Sequence, residues 1–172
     1  RRRRLRAALP WAVGAGVVLV AGALIWMVYG TAVLGVRQVE VVGTAVLTPL
    51  QIEEAAAVPM RRPLARVDLD GVRDRVQRLA AVHRATVSRS WPDTIRVEVV
   101  ERTAVAAVPS GPKQFTLIDD AGVAYRTVTR KPAGLPVARL AAPGPADVNT
   151  RAALTVLAAL TPELRGQLVE IS

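Results

Sequence analysis

The sequence has no cysteine, one histidine, and few aromatic side chains: three Trp, two Tyr and one Phe in 172 residues. Without cysteine there is no disulfide framework, no thiolate nucleophile and no zinc site of the Cys type, and the redox compartment is left open. No glycine-rich phosphate loop and no cluster with metal-ligand spacing is present, so no cofactor is expected. The formal charge of +9 invites a nucleic-acid reading, but Arg1, Arg2, Arg3, Arg4 and Arg6 supply five of it. Beyond them 18 basic and 14 acidic side chains are interspersed, a net of only +4. With aromatics at 3% there is neither a basic stripe nor a stacking platform, which excludes nucleic acid as a partner. The length leaves room for an anchor and one or two small folded units, not for a large multidomain enzyme.

What is present begins with AALPWAVGAGVVLVAGALIWMVY, residues 7–29, which carries no charged side chain. At about 1.5 Å per residue, such a helix crosses a hydrocarbon core of roughly 30 Å. Trp11 near one end, with Trp26 and Tyr29 near the other, supply the amphipathic rings found at membrane interfaces. A cleaved signal peptide has a shorter apolar region, about 7–15 residues, ending in a small-x-small site. No convincing site of that kind follows Tyr29. The expectation is an uncleaved transmembrane helix over 7–30, with the lipid bilayer as its partner. Five arginines precede it and only Arg37 follows closely, so the positive-inside rule puts residues 1–6 in the cytoplasm. The chain from about Thr31 onward then lies outside the cytoplasmic membrane.

In VRQVEVVG, residues 36–43, Val39 and Val41 share a face, and the segment reads as a strand ended by Gly43. Thr48, Pro49 and Gln51 form a capping box at the start of a helix that places Ile52, Ala55 and Ala56 on one face. VPMRRPLARVD, residues 58–68, reads as an irregular linker. LDGVRDRVQRLAAV, residues 69–82, sets Leu69, Val72, Val76, Leu79 and Ala80 on one stripe of an amphipathic helix. Its Arg73, Asp74, Arg75, Gln77 and Arg78 then form a solvated face. Two strands follow around a Trp91-Pro92-Asp93 turn. In the first, Ala85 and Val87 alternate with Arg84, Thr86 and Ser88; in the second, Ile95, Val97 and Val99 alternate with Arg96, Glu98 and Val100. Strand, helix, helix, strand, strand makes a compact α+β unit with an exposed sheet edge. An edge offers unpaired backbone groups to a partner strand, and Arg84, Thr86 and Ser88 mark the candidate partner-binding edge.

Further on, residues 114–118 and 123–128 read as a hairpin around Asp119-Asp120-Ala121-Gly122. The paired aspartates have no third ligand nearby and read as a solvated turn, not a metal site. LPVARL, residues 135–140, is a short apolar piece, and AAPGPAD, residues 141–147, is a linker whose Asp147 caps a helix reaching Leu160. Ala153, Leu154, Leu157 and Leu160 share that helix's apolar face, and LVEIS opens another strand. Ser110-Gly-Pro-Lys113 matches S-x-x-K, but Gly111 and Pro112 keep Ser and Lys off a shared helical turn and no K-T-G follows. His83 would need Ser88, Ser90 or Ser110 to meet it by chance. No catalytic residue, metal ligand, enzymatic activity or small-molecule substrate is expected.

VRQVEVVG, TPLQIEEAAAV, the arginine-bearing second helix and above all VSRSWPDTIRVEVVERTAVA resemble the POTRA domain of the FtsQ/DivIB cell-division proteins. The short basic tail and single apolar span resemble that family too, and the likeness extends through at least Leu140. The resemblance implies an N-terminal transmembrane helix, a POTRA domain over 36–103 with order β-α-α-β-β, and a β-rich FtsQ-type domain over 104–172. The family pattern continues with further strands, including the C-terminal surface to which FtsB adds, and this chain stops at Ser172. The second domain is therefore expected to be incomplete. The resemblance also implies a non-enzymatic, single-pass divisome scaffold at the septum of the bacterial cytoplasmic membrane. Its partners would be FtsB, FtsL and the septal synthase complex, and its role the recruitment and regulation of septal peptidoglycan synthesis. Two readings of other classes fit less well. A POTRA module of an envelope assembly or secretion protein would precede barrel strands and lack a leading membrane helix. A membrane-anchored cell-wall enzyme needs a nucleophile or metal set that the sequence does not supply.

Overall fold

The computed structural model describes residues 2–30, 34–160 and 170–171, with side chains described over 14–30 and 34–160. Two units emerge, one of residues 1–44, 48–76 and 85–99, the other of 45–47, 77–84 and 100–172.

Helix α1 spans Arg2–Gly30. It exposes Val17, Leu19, Leu24, Ile25, Trp26 and Tyr29. Among the described residues no helix is long and apolar enough to cross a membrane. The side chains of residues 7–13, which open the uncharged run, lie outside the described residues, as do those of Arg1, Arg2, Arg3, Arg4, Arg6 and Trp11.

The first unit contains β1 (Gln38–Val42), α2 (Pro49–Ala56), α3 (Leu69–Gln77), and most of β2 (Val82–Ser90) and β3 (Thr94–Glu101). Its sheet has the order β1-β3-β2. β1 lies parallel to β3, with Val39 opposite Ile95 and Val41 opposite Val97. A parallel neighbour cannot be reached through a tight turn, so the chain crosses over through α2 and α3 before returning to the sheet. On the other face the same register sets Glu40 against Arg96, 3.0 Å apart. Both are well solvated, and the pair contributes no more than about 1 kcal/mol. The helices bury Ile52, Ala56, Val72 and Val76, and β3 buries Ile95, Val97 and Val99.

The expected capping box of α2 is complete. Gln51 donates its N–H to Thr48 Oγ1 at 3.3 Å, and Thr48 donates its N–H to Gln51 Oε1 at 2.9 Å. Three expectations for this unit are corrected. Residues 58–68 are not irregular throughout: Leu64–Arg66 form a 3-10 turn, and Leu64 and Val67 are buried. The Arg89 guanidinium organises that turn, donating to the carbonyls of Leu64 at 2.9 Å and Val67 at 2.8 Å. Helix α3 ends at Gln77, so the apolar stripe stops short and Ala80 is exposed. Arg75 leaves the solvated face to donate twice to the Ala56 carbonyl, at 2.9 and 2.7 Å, satisfying an orphan group at the C-terminus of α2.

The second unit holds β4 (Ala106–Gly111), β5 (Gln114–Ile118), β6 (Ala124–Val128), β7 (Val137–Ala138), α4 (Val148–Ala159) and β8 (Glu170–Ile171), with sheet order β6-β5-β4-β7-β8. The expected β5–β6 hairpin is present, with Gly122 at φ +80°. The apolar piece at 135–140 supplies β7, which pairs in parallel with β4 and β8. β4 had no counterpart in the sequence reading, because AAVPSG lacks alternation and contains a proline. Asp147 caps α4, its Oδ2 accepting both the N–H and the hydroxyl of Thr150 at 2.7 Å. Ala106, Val108, Ile118, Ala138 and Leu157 form the core, with Leu140, Leu154 and Leu160 packed on it.

Gly43 closes β1 at φ +88°, and a Cβ there would sit 2.2 Å from the Val99 carbonyl oxygen. Gly43→Ala should therefore lower stability by at least ~2 kcal/mol, because strain and a backbone clash combine. Thr48→Ala, which removes one arm of the capping box, should lower it by about 1 kcal/mol. Urea denaturation of both variants checks the order; equal losses would contradict it.

Candidate functional site

Strand β2 stands at one end of the three-strand order, and among the described residues no strand pairs with its outer side. Arg84, Thr86 and Ser88, the sequence-selected edge residues, lie on it and are exposed. Alternation holds only from Ala85 to Ser88, because His83 and Arg84 are exposed in succession after buried Val82 and Arg89 is exposed after Ser88. The strand's last basic residue, Arg89, is exposed but has its guanidinium engaged by the 3-10 turn. What β2 presents outward is thus one guanidinium and two hydroxyls on a run of backbone groups, a surface suited to strand addition.

The expected Trp91-Pro92-Asp93 turn follows β2. The Trp91–Pro92 peptide bond is cis. Asp93 Oδ1 accepts the Thr94 hydroxyl at 3.2 Å, while the Asp93 carbonyl accepts the N–H groups of Arg37 at 2.8 Å and Gln38 at 3.3 Å. The turn therefore receives the start of β1.

In the second unit the paired aspartates are not a solvated turn. Asp119 is 1% exposed and forms an ion pair with Arg102. Its other oxygen accepts the N–H groups of Ala121 at 3.1 Å and Val123 at 2.7 Å, tightening the β5–β6 turn, while Asp120 stays exposed. Arg102 also donates to the Ala80 carbonyl at 3.1 Å. Glu101 is a second organiser that the sequence reading missed. Its carboxylate accepts N–H groups from Ala45 at 3.1 Å, Val46 at 2.9 Å and Leu47 at 2.8 Å. Burial pushes the Glu101 carboxyl up, but these N–H donors and the charge of Arg126 outweigh it and hold it below the ordinary 4.5.

His83, Glu101, Arg102, Asp119 and Asp120 line a cleft of about 200 Å³. Arg102 and Asp119 are paired with each other and Glu101 is engaged with backbone N–H groups, an arrangement that holds structure, while Asp120 faces solvent. Ser110 is the penultimate residue of β4 and exposed Lys113 lies in the turn to β5, so the S-x-x-K match falls on a hairpin tip and not on a helical turn. Among the described residues no hydrogen bond joins His83 to Ser88, Ser90 or Ser110, and no group of three or more His, Cys, Asp or Glu side chains is placed to hold a metal ion.

Residues 34–102 match the family model for the POTRA domain, FtsQ-type. Over 147 residues the chain is 44% identical to the cell division protein FtsQ of Streptomyces bingchenggensis, covering 82% of this chain and 54% of that protein. It is 42% identical over 141 residues to the FtsQ of Streptomyces coelicolor, covering 81% and 52%. It is 38% identical over 166 residues to the FtsQ of Mycolicibacterium smegmatis, covering 95% and 48%. The chain spans about half the length of the curated relatives it matches.

The Glu101 carboxylate of the second unit gives a pH prediction, and Asp119 a stability one. Because the folded pKa of Glu101 is depressed, its contribution is full above the ordinary value and is lost as pH falls through the lower folded one. Glu101→Gln should cost about 1–2 kcal/mol near neutrality and flatten the loss of stability on acidification below about pH 4.5. Asp119→Ala, which strands Arg102 and two N–H groups, should cost more, about 2–4 kcal/mol. Thermal unfolding followed from pH 7 to pH 3 tests both; a Glu101→Gln curve parallel to the parent's throughout would contradict the assignment.

Proposed function

The chain belongs to the FtsQ family of cell-division proteins, and from that premise we propose that it is a single-pass, non-catalytic scaffold of the divisome. In this reading residues 1–6 are a cytoplasmic tail and 7–30 a membrane span. Residues 36–103 form the POTRA domain outside the cytoplasmic membrane, and 104–172 belong to the β-rich domain beyond it. The observation that carries the proposal is the FtsQ-type POTRA match over 34–102, on a unit whose β2 edge has no strand partner among the described residues. The uncharged run and the exposed apolar side chains of α1 support the anchor.

The scaffold gathers extracytoplasmic parts of FtsB, FtsL and the septal synthase complex, and so recruits and regulates septal peptidoglycan synthesis. Binding comes from strand addition, in which main-chain hydrogen bonds supply affinity and alternate side chains supply selectivity. Arg84, Thr86 and Ser88 are the side chains that a partner strand on β2 would meet. The engagement of Asp119 by Arg102, and the hairpin position of Ser110 and Lys113, supports a non-catalytic role.

A photo-crosslinking residue placed at Thr86 or Ser88 in dividing cells should capture another division protein, whereas one at Arg73 on α3 should not. Depletion should yield filaments or chains lacking septa. Normal septation on depletion, or cleavage of peptidoglycan by the purified chain, would overturn the scaffold reading; capture equal at positions 73 and 86 would overturn the choice of edge.

A further inference from the structure

The end of the first unit where α1 joins the fold carries a surface of one chemical kind. Val36 donates its N–H to the Arg62 carbonyl at 2.9 Å, Arg61 donates to the Val36 carbonyl at 2.8 Å, and Gly35 bridges to Pro63. On the other side, the N–H groups of Arg37 and Gln38 converge on the Asp93 carbonyl. Residues 35–38 are thus held between the 59–63 loop and the Trp91-Pro92-Asp93 turn. The 3-10 turn at Leu64–Arg66 lies against α1 itself.

Solvent meets four arginines at this end, Arg37, Arg61, Arg62 and Arg66, together with Met60 and Trp91, each 53% exposed. None of the four guanidinium groups has a hydrogen-bonded or ion-paired partner among the described residues, although Arg62 shares a shallow cleft with Asp68 and Arg75. Elsewhere in the same unit Arg73 and Arg96 are ion-paired, and Arg75 and Arg89 are spent on carbonyls. Arg61 is held at φ +63°, a left-handed backbone that favours glycine, so the loop keeps a cation where glycine would fit more easily.

Unpaired guanidinium groups beside an exposed indole and thioether have the chemistry of a membrane-interface contact. The cations meet phosphate, and the ring and thioether sit at headgroup depth. We infer that this end of the first unit docks on anionic phospholipid headgroups, resting the unit against the outer leaflet beside its own anchor. The inference rests on the reading of α1 as a membrane span. An acidic protein surface would be served by the arginines alone; Trp91 and Met60, at the end where α1 enters, favour lipid. Docking here would also orient the unit, because β2 runs toward the bilayer and ends one residue before Trp91.

The absence of cysteine makes the test clean. Met60→Cys carries a single environment-sensitive fluorophore on the full chain, reconstituted in phosphatidylcholine vesicles with or without phosphatidylglycerol. Leu19→Cys, in a second preparation, reports on α1 through protection from a membrane-impermeant thiol reagent. The expected result is protection at position 19 in both lipids, and a blue shift at position 60 only with phosphatidylglycerol, reversed by high salt. Arg61→Gln with Arg62→Gln should weaken that response about fivefold per arginine removed. Arg37→Gln with Arg66→Gln provides an independent pair should the first misfold, and Arg73→Gln should leave the response unchanged. A water-exposed probe at position 60 with position 19 protected would overturn the docking surface and leave the anchor standing. Free reaction at position 19 would overturn the anchor reading and the docking with it. A shift that ignores lipid charge, or that requires an added protein, would overturn headgroup recognition.

Discussion

The parallel pairing of β1 on β3 is the constraint from which the first unit follows. Because β1 runs the same way as β3, its first residues must lie at the end where β3 begins, which is also where the β2–β3 turn sits. The chain leaving α1 is thereby delivered to the Asp93 carbonyl, and the crossover through α2 and α3 is forced. An antiparallel β1 would put the entry point at the opposite end of the sheet, away from Trp91. The proposed orientation of β2 relative to a bilayer therefore depends on this one register.

Arginine does two jobs in this protein, separated by what surrounds the guanidinium. Arg75, Arg89 and Arg102 spend their planar donor forks on backbone carbonyls, at the end of α2, around the 3-10 turn and at Ala80. Each holds an irregular piece of backbone that apolar packing alone would leave under-determined. The exposed arginines near α1 have no such employment, which is why the same residue type reads as scaffold in one place and as interaction surface in another. Glu101 and Asp119 are the anionic counterparts of the first kind, each gathering N–H groups from a turn.

Local signals in the sequence carried the elements that depend on local physics. The capping box at Thr48 and Gln51, the Asp147 cap, the Gly122 hairpin and the alternation from Ile95 to Val99 are each written within a few residues, and each is found. What was not legible depends on partners far along the chain. The 58–68 segment gains its order from Arg89 and from Val36, and Arg75 is drawn off its helix face by a carbonyl near residue 56. Buried Asp119 could not be told from a solvated aspartate without knowing that Arg102 reaches it, and β4 hid behind Pro109. The edge position of β2, expected from the strand pattern, rests on the pairing order, in which β1 and β2 are each flanked on one side alone.

Backbone amide hydrogen exchange on the full chain in lipid bilayers bears most directly on this account. If β1 is locked parallel to β3 with residues 35–38 strapped between loop and turn, the amides of Val36, Arg37 and Arg61 should exchange as slowly as those in the middle of β3. Exchange at these three positions at the rate of an open loop, while β3 remains protected, would contradict it.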